Sequence, residues 1–368
     1  MHYETPQFFH VMQYAAAADG DVIDMVSGNP DWEPPEAIRT GLTQYAERDA
    51  ADFQYPPSDG LAALREEIAA RRNVAVDRVI ITNGTGEANY LAMARAFDDS
   101  RGDEVVLIDP VYPYYLGKTE LLGGTPRLVA TDDDGRLAAE KTCEAIGEDT
   151  ALVVLNTPNN PTGAVYDLES IRTVVECAAA HDALVVVDEV YDHFDFSGRF
   201  ESALTLDAGN VIVTSGVSKS MAITGFRVGY AVFPPALIEA AKTRHMLVNV
   251  ATSRPAQRAV LTAYRETDPG YYAAARDRLE SRIDSFTAAL DEAGAAYTTP
   301  DGAFYVLARF DDFPGTMANV KTLIDEIGVA GMPGATFGTA RTDWIRFALV
   351  TPRVDEAAER LAAYFADR

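Results

Sequence analysis

The feature that most constrains the fold is the alternation of short apolar runs with amphipathic segments through the middle of the sequence. The runs are rich in β-branched residues, which is typical of strands; they are Arg78–Gly84, Glu104–Pro110, Thr150–Asn156, Ala183–Glu189, Asn210–Gly216 and Arg227–Phe233. Most are apolar throughout, which indicates strands buried on both faces of a sheet. The segments between them, such as Gly86–Phe97 and Asp167–His181, have helical periodicity. We therefore expect an α/β fold on an open, mainly parallel sheet with right-handed crossovers.

The C-terminal part of the chain has a different pattern. It predicts a long helix, then a strand, a helix, a strand and a closing helix, at Tyr271–Ala293, Ala303–Phe310, Asn319–Ile327, Trp344–Leu349 and Val354–Asp367. A chain of 368 residues has room for two or three domains. We expect an N-terminal arm (residues 1–42) that packs on a small α+β domain (271–368), and a large domain between them (43–270).

The charge balance excludes several classes of partner. The chain has 31 Lys and Arg against 56 Asp and Glu, a formal net charge of −25. Such a field repels nucleic-acid phosphates and anionic membranes, so we expect no nucleic-acid or membrane partner. The acids include 33 Asp, and only 5 of the bases are Lys, a composition that resembles proteins of salt-loving microbes. An acidic protein of a mesophile with arginine-rich codon usage remains the alternative.

The cysteines and the start of the chain bear on the compartment. Cys143 and Cys177 match neither a disulfide framework nor CxxC metal spacing, so we expect neither a disulfide nor a metal site. The first residues lack the basic and apolar regions of a signal peptide, and no apolar run approaches the roughly 20 residues that span a bilayer. These features predict a soluble, cytoplasmic protein.

Polar residues that follow the predicted strands are the candidate site residues, because ligands of open α/β sheets bind beyond the carboxyl ends of the strands. They are Gly84, Thr85 and Gly86 at a helix start, Tyr112, Asn160, Asp188, Tyr191, Ser218, Lys219 and Arg227. Each has an ordinary explanation when taken alone: Asp188 as a helix N-cap, Lys219 as a surface lysine, Tyr112 as a core aromatic. Their coincidence at successive strand ends indicates one shared ligand.

Pyridoxal phosphate needs the chemical groups that this set offers. Glycine amides at a helix N-terminus suit its phosphate. Asp188 can keep its ring nitrogen protonated, and the Lys219 amine can form a Schiff base with its aldehyde. The other candidates suit its remaining atoms: Tyr112 the face of the ring, Asn160 and Tyr191 the phenolate oxygen, Ser218 and Arg227 the phosphate.

Several motifs resemble those of the class I/II aminotransferases, which are fold-type I pyridoxal phosphate enzymes. Their order along nearly the whole chain is the same: Ser27-Gly28-Asn29-Pro30, Tyr55, Asn159-Asn160-Pro161-Thr162-Gly163, Asp188-Glu189-Val190-Tyr191, Ser218-Lys219-Ser220, Gly225-Phe226-Arg227 and Ile345-Arg346-Phe347. The resemblance implies ping-pong amino transfer between an L-amino acid and a 2-oxo acid.

The resemblance also implies roles for individual residues. Lys219 forms the imine and then moves the proton, and Arg346 clamps the substrate α-carboxylate beside the Gly28 backbone. Tyr55 comes from the partner subunit and reaches the phosphate, which implies a homodimer with shared active sites. The ordinary interpretation of Arg346 is a surface arginine at a strand end.

Two positions depart from the family pattern. The family's common serine three residues before the lysine is Gly216 here. Dicarboxylate-specific members use a further arginine from the partner subunit. Arg254 lies in the corresponding region of this chain, but no motif around it fixes the alignment. Aspartate specificity therefore stays open.

Other functions remain as alternatives. Lyases, decarboxylases and racemases use the same scaffold and the same lysine, aspartate and asparagine. A nucleotide-binding oxidoreductase fits less well, because Asn89 stands where its third glycine or alanine is sought. A regulator on this fold needs a DNA-binding module, and the acidic composition leads us to expect none.

Overall fold

A seven-stranded sheet forms the centre of the protein. The structure is a computed structural model that describes residues 7–18, 20–99 and 102–366. In chain order the strands of this sheet are β2 (Val79–Asn83), β3 (Glu104–Asp109), β4 (Thr125–Ala130), β5 (Thr150–Asn156), β6 (Leu184–Asp188), β7 (Val211–Gly216) and β8 (Val228–Val232), after a short β1 (Ile23–Asp24) elsewhere. Their order across the sheet is β2-β8-β7-β6-β5-β3-β4.

The expected α/β sheet is confirmed. Neighbours from β7 to β4 are parallel, whereas β8 runs antiparallel to both β2 and β7. The central strands are buried on both faces, as their continuous apolar character predicts. Strand β4 was not predicted. Its sequence, Thr-Pro-Arg-Leu-Val-Ala, contains a proline and its residues are half exposed, which is typical of an edge strand.

Helices cover both faces of this sheet. In chain order they are α1 (Gln7–Ala17), α2 (Glu36–Ala46), α3 (Ala62–Arg72), α4 (Gly84–Asp99), α5 (Pro113–Leu121), α6 (Ala139–Ala145), α7 (Leu168–Ala179), α8 (Ile238–Asn249), α9 (Arg254–Glu266) and α10 (Pro269–Glu292). Helices α4, α5 and α8 share a core with one face of the sheet. Helices α3, α6, α7 and α9 pack on the other face. Helix α2 also contributes Ala37 and Ile38 to the core on this second face.

The C-terminal part forms a second, smaller sheet. The elements of this part of the chain are β9 (Ala296–Tyr297), β10 (Tyr305–Arg309), α11 (Met317–Ile327), β11 (Val329–Ala330), β12 (Met332–Pro333), β13 (Ile345–Ala348) and α12 (Val354–Ala366). Strands β12, β13, β10 and β9 pair in that order, all antiparallel. The predicted end of the last helix, Asp367, lies outside the described residues.

The N-terminal residues pack with this second sheet. Strand β1 pairs in parallel with β11, and Val11 and Met25 share a core with Phe286 and Phe347. Helix α2 instead packs on α9, where Gly41 approaches the backbone of Ala259. This packing supports the predicted arm, while the domain bounds themselves stay a prediction, and the bound at residue 42 falls inside α2.

The expectation for the cysteines is wrong. Cys143 on α6 and Cys177 on α7 form a disulfide, with their Cα atoms 5.6 Å apart. The two residues are 34 positions apart in sequence, but α6 and α7 lie side by side on one face of the sheet. Sequence spacing does not reveal this proximity, because it arises from two crossover connections. Within the described residues, no helix is long and apolar enough to cross a membrane.

Candidate active site

A cavity of about 410 Å³ lies at the carboxyl ends of the central strands. It is lined by most of the residues predicted from the sequence: Gly28, Thr85, Gly86, Tyr112, Asn160, Asp188, Tyr191, Ser218, Lys219, Arg227 and Arg346. Gly84 directly precedes this lining in the chain, at the start of α4, and Tyr55 lies elsewhere. The topology thus brings the predicted strand-end residues together at one edge of the sheet.

The start of α4 forms an anion cradle. The first N–H groups of a helix lack intrahelical acceptors and carry the positive end of its dipole. Gly84 has a φ of +74°, and a Cβ there would lie 2.4 Å from Nη2 of Arg227, so only glycine fits. The Arg227 guanidinium donates to two backbone carbonyls, at 2.8 and 3.3 Å. The Thr85 hydroxyl is buried without a hydrogen-bond partner in the described chain, which suits a bound phosphate.

Asp188, the last residue of β6, is a buried carboxylate held by three hydrogen bonds. Its Oδ2 accepts from Tyr115 at 2.6 Å and from Asn89 at 2.7 Å, and its Oδ1 accepts from the Val190 amide at 3.0 Å. The Asn89 amide oxygen in turn accepts from Thr214 at 2.5 Å. Burial raises the pKa of Asp188 although the hydrogen bonds oppose this. Because Asp188 forms no salt bridge with the described residues, a protonated ring nitrogen would supply the cation that this carboxylate needs.

Lys219 reaches the centre of the cavity. It follows β7 by three residues, and its Nζ donates to the Gly28 carbonyl at 2.6 Å. Burial, together with the nearby cations Arg346 and Arg227, lowers the pKa of Lys219 to about 8, although Asp188 opposes them. The amine is therefore much more often neutral near pH 7 than an ordinary lysine, as a nucleophile or base must be.

Arg346 on β13 is a buried cation without a carboxylate partner among the described residues. Its guanidinium donates to Asn160 Oδ1 at 3.2 Å and to the Val26 carbonyl, and its Nε has no partner. The rings of Tyr305 and Phe337 lie 4.6 and 4.9 Å from its Cζ. A planar cation fixed between two rings suits bidentate binding of a carboxylate.

Sequence reasoning missed several side chains that line the cavity, among them Asn89, Tyr115, Lys118 and Tyr305. Tyr305 contacts the Tyr191 hydroxyl at 3.0 Å, and its own hydroxyl would lie 2.4 Å from a Cβ at Gly28. Tyr115 and Asn89 could have been found from helical spacing, since each lies on the sheet-facing side of a helix that follows a candidate strand. Tyr305 gave no such signal, because it belongs to the second sheet.

Tyr55 is the predicted residue that this cavity does not contain. Its side chain is 81% exposed, and it lines a separate groove together with Arg254. Arg254 donates to the carbonyls of Ala51 and Tyr55 at 3.0 and 3.3 Å and pairs with Asp52 at 3.3 Å. Arg254 is therefore held against the backbone next to Tyr55, and both residues lie outside the cavity of their own chain.

The glycine at position 216 has a structural reason. A Cβ at Gly216 would lie 2.6 Å from the Thr85 hydroxyl and 3.1 Å from Gly229 Cα. A serine there would crowd the threonine that completes the anion cradle. In this chain Thr85 thus occupies the space that a side chain at position 216 would need.

Together, the half-buried lysine amine, the buried carboxylate, the anion cradle and the uncompensated arginine define a class of protein. They fit an enzyme that binds pyridoxal phosphate and acts on a carboxylate substrate. The orphaned Thr85 hydroxyl and the unpaired Asp188 carboxylate are the observations that match the cofactor's phosphate and ring nitrogen.

Comparison with known proteins identifies the family. A sequence model described as aminotransferase class I and II matches residues 20–361. The probable aspartate/prephenate aminotransferase of Thermus aquaticus is 31% identical over 353 residues, 93% of this chain and 91% of that protein. Aromatic-amino-acid aminotransferase 2 of Thermococcus litoralis is 29% identical, over 92% of this chain and 90% of its own length. The structure of Thermus thermophilus aspartate aminotransferase with maleate has a TM-score of 0.90 at 28% identity, covering 99% of this chain and 97% of that one.

This chain belongs to the class I and II aminotransferase family. It is a pyridoxal phosphate-dependent aminotransferase, as the sequence motifs predict.

Proposed function

We propose that Lys219, Asp188 and Arg346 carry the reaction, which moves the α-amino group between an L-amino acid and a 2-oxo acid. The observation that carries this proposal is the position of the Lys219 amine, whose pKa is lowered to about 8, inside a cavity that also contains Asp188 and Arg346. Thr85, Gly86, Ser218 and Arg227 would hold the cofactor phosphate, with Gly84 permitting the turn; Tyr112 would pack on the ring, and Asn160 and Tyr191 would donate to its phenolate oxygen.

The substrate carboxylate binds first in this proposal. Arg346 is already oriented by Asn160 and by the two aromatic rings, so little side-chain freedom is lost when it binds a carboxylate. The Gly28 backbone lies beside it, and the absence of a Cβ there leaves space in front of Tyr305 and Lys219. This binding fixes the substrate Cα near the amine.

Proton transfer is the task of Lys219. Bound pyridoxal phosphate supplies an electron sink for the substrate carbon when its ring nitrogen is protonated. Asp188 stabilises that ring proton, and Tyr115 and Asn89 keep the carboxylate oriented. Lys219 Nζ accepts the proton from the substrate Cα and holds it within the cavity until it is returned to carbon.

Half-reaction spectroscopy tests this function. The holoenzyme is mixed with single L-amino acids, and the change in cofactor absorbance is followed without any 2-oxo acid. We expect at least one amino acid to convert the cofactor to its amine form and a 2-oxo acid to restore it. A lyase or decarboxylase would release product continuously without a 2-oxo acid, and that outcome would reject the proposal. The names of the relatives make acidic and aromatic amino acids the first donors to test.

We also propose a homodimer in which Tyr55 completes the partner's phosphate site. Support comes from the exposure of Tyr55 and from an adjacent apolar segment, in which Leu247 is 76% exposed and Val250 is 52% exposed. Mixing Tyr55→Phe protein with Lys219→Ala protein tests this arrangement. Subunit exchange should restore activity, because one site of each hybrid then has both native residues. No gain after exchange would reject sharing.

The proposed setting is amino-acid metabolism, including biosynthesis, in the cytoplasm of a salt-loving cell. The net charge of −25 supports this setting, since counter-ions must screen it. The Cys143–Cys177 disulfide opposes a strongly reducing compartment. Fractionation of source cells, with thiols blocked at lysis, locates the protein and shows whether the disulfide is present there.

A further inference from the structure

One cation in the cavity has no hydrogen-bond acceptor among the described residues. Lys219, Arg227 and Arg346 each donate to a backbone or side-chain oxygen. Lys118 lines the same cavity, but within the described residues its ammonium forms no hydrogen bond and no salt bridge. An ammonium without a hydrogen-bonded acceptor is costly in a partly desolvated site unless a ligand accepts from it.

The position of Lys118 is fixed by α5. Its Nζ lies 5.5 Å from the centre of the Tyr114 ring, and that ring stacks on Tyr112 at 5.1 Å. The ammonium is therefore next to the aromatic platform of the site. Burial lowers the pKa of Lys118 to about 8 while Asp188 opposes this, so the amine is mostly protonated at neutral pH.

The other anions of the reaction already have partners in the proposed function. The phosphate has the α4 cradle with Arg227, and the α-carboxylate has Arg346. Asp188 lies within electrostatic range of Lys118 but accepts its hydrogen bonds from other groups. The anion that remains is a second carboxylate on the substrate.

On the basis of the proposed function, we infer that Lys118 binds the side-chain carboxylate of a dicarboxylic substrate and makes the site selective for acidic amino acids and their 2-oxo acids. Arg254, the residue considered from the sequence, is less suited to this role, because its guanidinium is already held by Asp52 and by two backbone carbonyls. Lys118 belongs to the same chain as the rest of the cavity, so this recognition does not need the partner subunit.

Calorimetric titration of the holoenzyme with succinate and with butyrate tests the inference. The two ligands have the same number of carbons, but butyrate has a methyl group in place of the second carboxylate. We expect Lys118→Gln to raise the Kd of succinate about 10- to 100-fold, the loss typical of a hydrogen bond to a charged group, and to change the Kd of butyrate less than about twofold. Lys118→Arg should retain most of the preference for succinate.

Lys321→Gln is the matched control. The Lys321 ammonium also lies over a tyrosine ring, 4.6 Å from the centre of Tyr14, but outside the cavity. Its substitution should change neither dissociation constant. An unchanged succinate Kd in Lys118→Gln, or equal losses for both ligands, would overturn the inference. A shift in the pH titration of cofactor absorbance with an unchanged succinate Kd would show that Lys118 acts on Asp188 instead. Because binding is measured without turnover, failure of amino transfer would reject the proposed function separately.

Discussion

At the scale of residues, Lys219 differs from an ordinary lysine in the fraction of its amine that is unprotonated at neutral pH. With a pKa of about 8, roughly one amine in ten is neutral at pH 7, against about one in 2,500 for a free lysine with a pKa near 10.4.

We predict that the apoenzyme captures pyridoxal phosphate about tenfold faster at pH 7 than at pH 6, and that the rate levels off above about pH 8. The sign follows from the lowered pKa, because only the neutral amine attacks the aldehyde. Absorbance of the captured cofactor, followed by stopped flow, gives the rate. A rate that still climbs tenfold per pH unit between pH 9 and 10 would contradict a lowered pKa, and Lys219→Ala supplies the baseline.

Asp188 gives a second prediction. Asp188→Asn should lower kcat by at least about 100-fold, because an amide cannot stabilise a protonated ring nitrogen. The thermal midpoint should change by only a few degrees, since the amide oxygen can still accept from Tyr115 and Asn89 and the removal of a buried charge offsets the loss of the bond from Val190. Steady-state kinetics and a thermal scan of the same preparation measure both quantities. A kcat of the variant equal to that of the wild type would show that Asp188 does not act on the cofactor.

Most of the residues predicted from the sequence share one property, which is their position at or shortly after the end of a strand; Gly28, Tyr55 and Arg346 were predicted from the family resemblance instead. Lys219, Asp188 and Asn160 could be found because strand ends are visible as the end of an apolar run. Lys118 lies in the second turn of helix α5, and Tyr305 is brought in by the second sheet. Their presence in the site depends on packing between distant segments, which no local pattern encodes.

At the scale of elements, the anion cradle depends on how closely β8 approaches α4. A Cβ at Gly229 would lie 2.4 Å from the carbonyl carbon of Gly84 and 2.5 Å from the Thr85 nitrogen. These are backbone atoms, so the clash cannot be relieved by a side-chain rotation.

Gly229→Ala should therefore displace the start of α4 and weaken cofactor binding by about tenfold or more, with a stability loss of about 1–3 kcal/mol. Equilibrium dialysis against pyridoxal phosphate and denaturant unfolding measure the two effects. Gly225→Ala is the matched control, because a Cβ there meets nothing within 4 Å. Equal cofactor affinity in both variants would show that the cradle tolerates the displacement.

The elements were predictable to different degrees. The six predicted strands of the large sheet all form, because buried β-branched runs such as Thr150–Asn156 leave little alternative. The antiparallel direction of β8 was not predicted, since a run of apolar residues has no direction. The α6–α7 disulfide was missed for a related reason, because proximity between helices follows from crossovers and not from spacing.

At the scale of the whole molecule, the net charge of −25 sets the response to salt. The Debye length is about 30 Å at 0.01 M ionic strength and about 3 Å at 1 M, so like charges repel across the molecule only in dilute buffer. Dimerisation brings two such fields together.

We predict that activity and thermal midpoint rise with KCl up to molar concentrations, and that dialysis into dilute buffer releases monomer and cofactor. Light scattering and cofactor absorbance follow the two losses. Ammonium sulfate at equal ionic strength is the control, because sulfate also strengthens apolar burial. A flat midpoint between 0.1 and 2 M KCl, with an intact dimer throughout, would refute the halophilic proposal and leave the aminotransferase assignment unchanged.

The strand order of the large sheet also determines when each strand can pair during synthesis. Among the described strands, β2 is paired only with β8, so residues Val79–Asn83 emerge from the ribosome long before residues Val228–Val232 can pair with them. During that interval the first edge of the sheet and the start of α4 lack the strand against which Gly84 and Thr85 later pack. The nascent chain must therefore keep an apolar segment unpaired and still reactive towards other chains while most of the sheet is being made. Slow translation lengthens this interval, and a chaperone that recognises nascent apolar segments has its first and longest opportunity at β2.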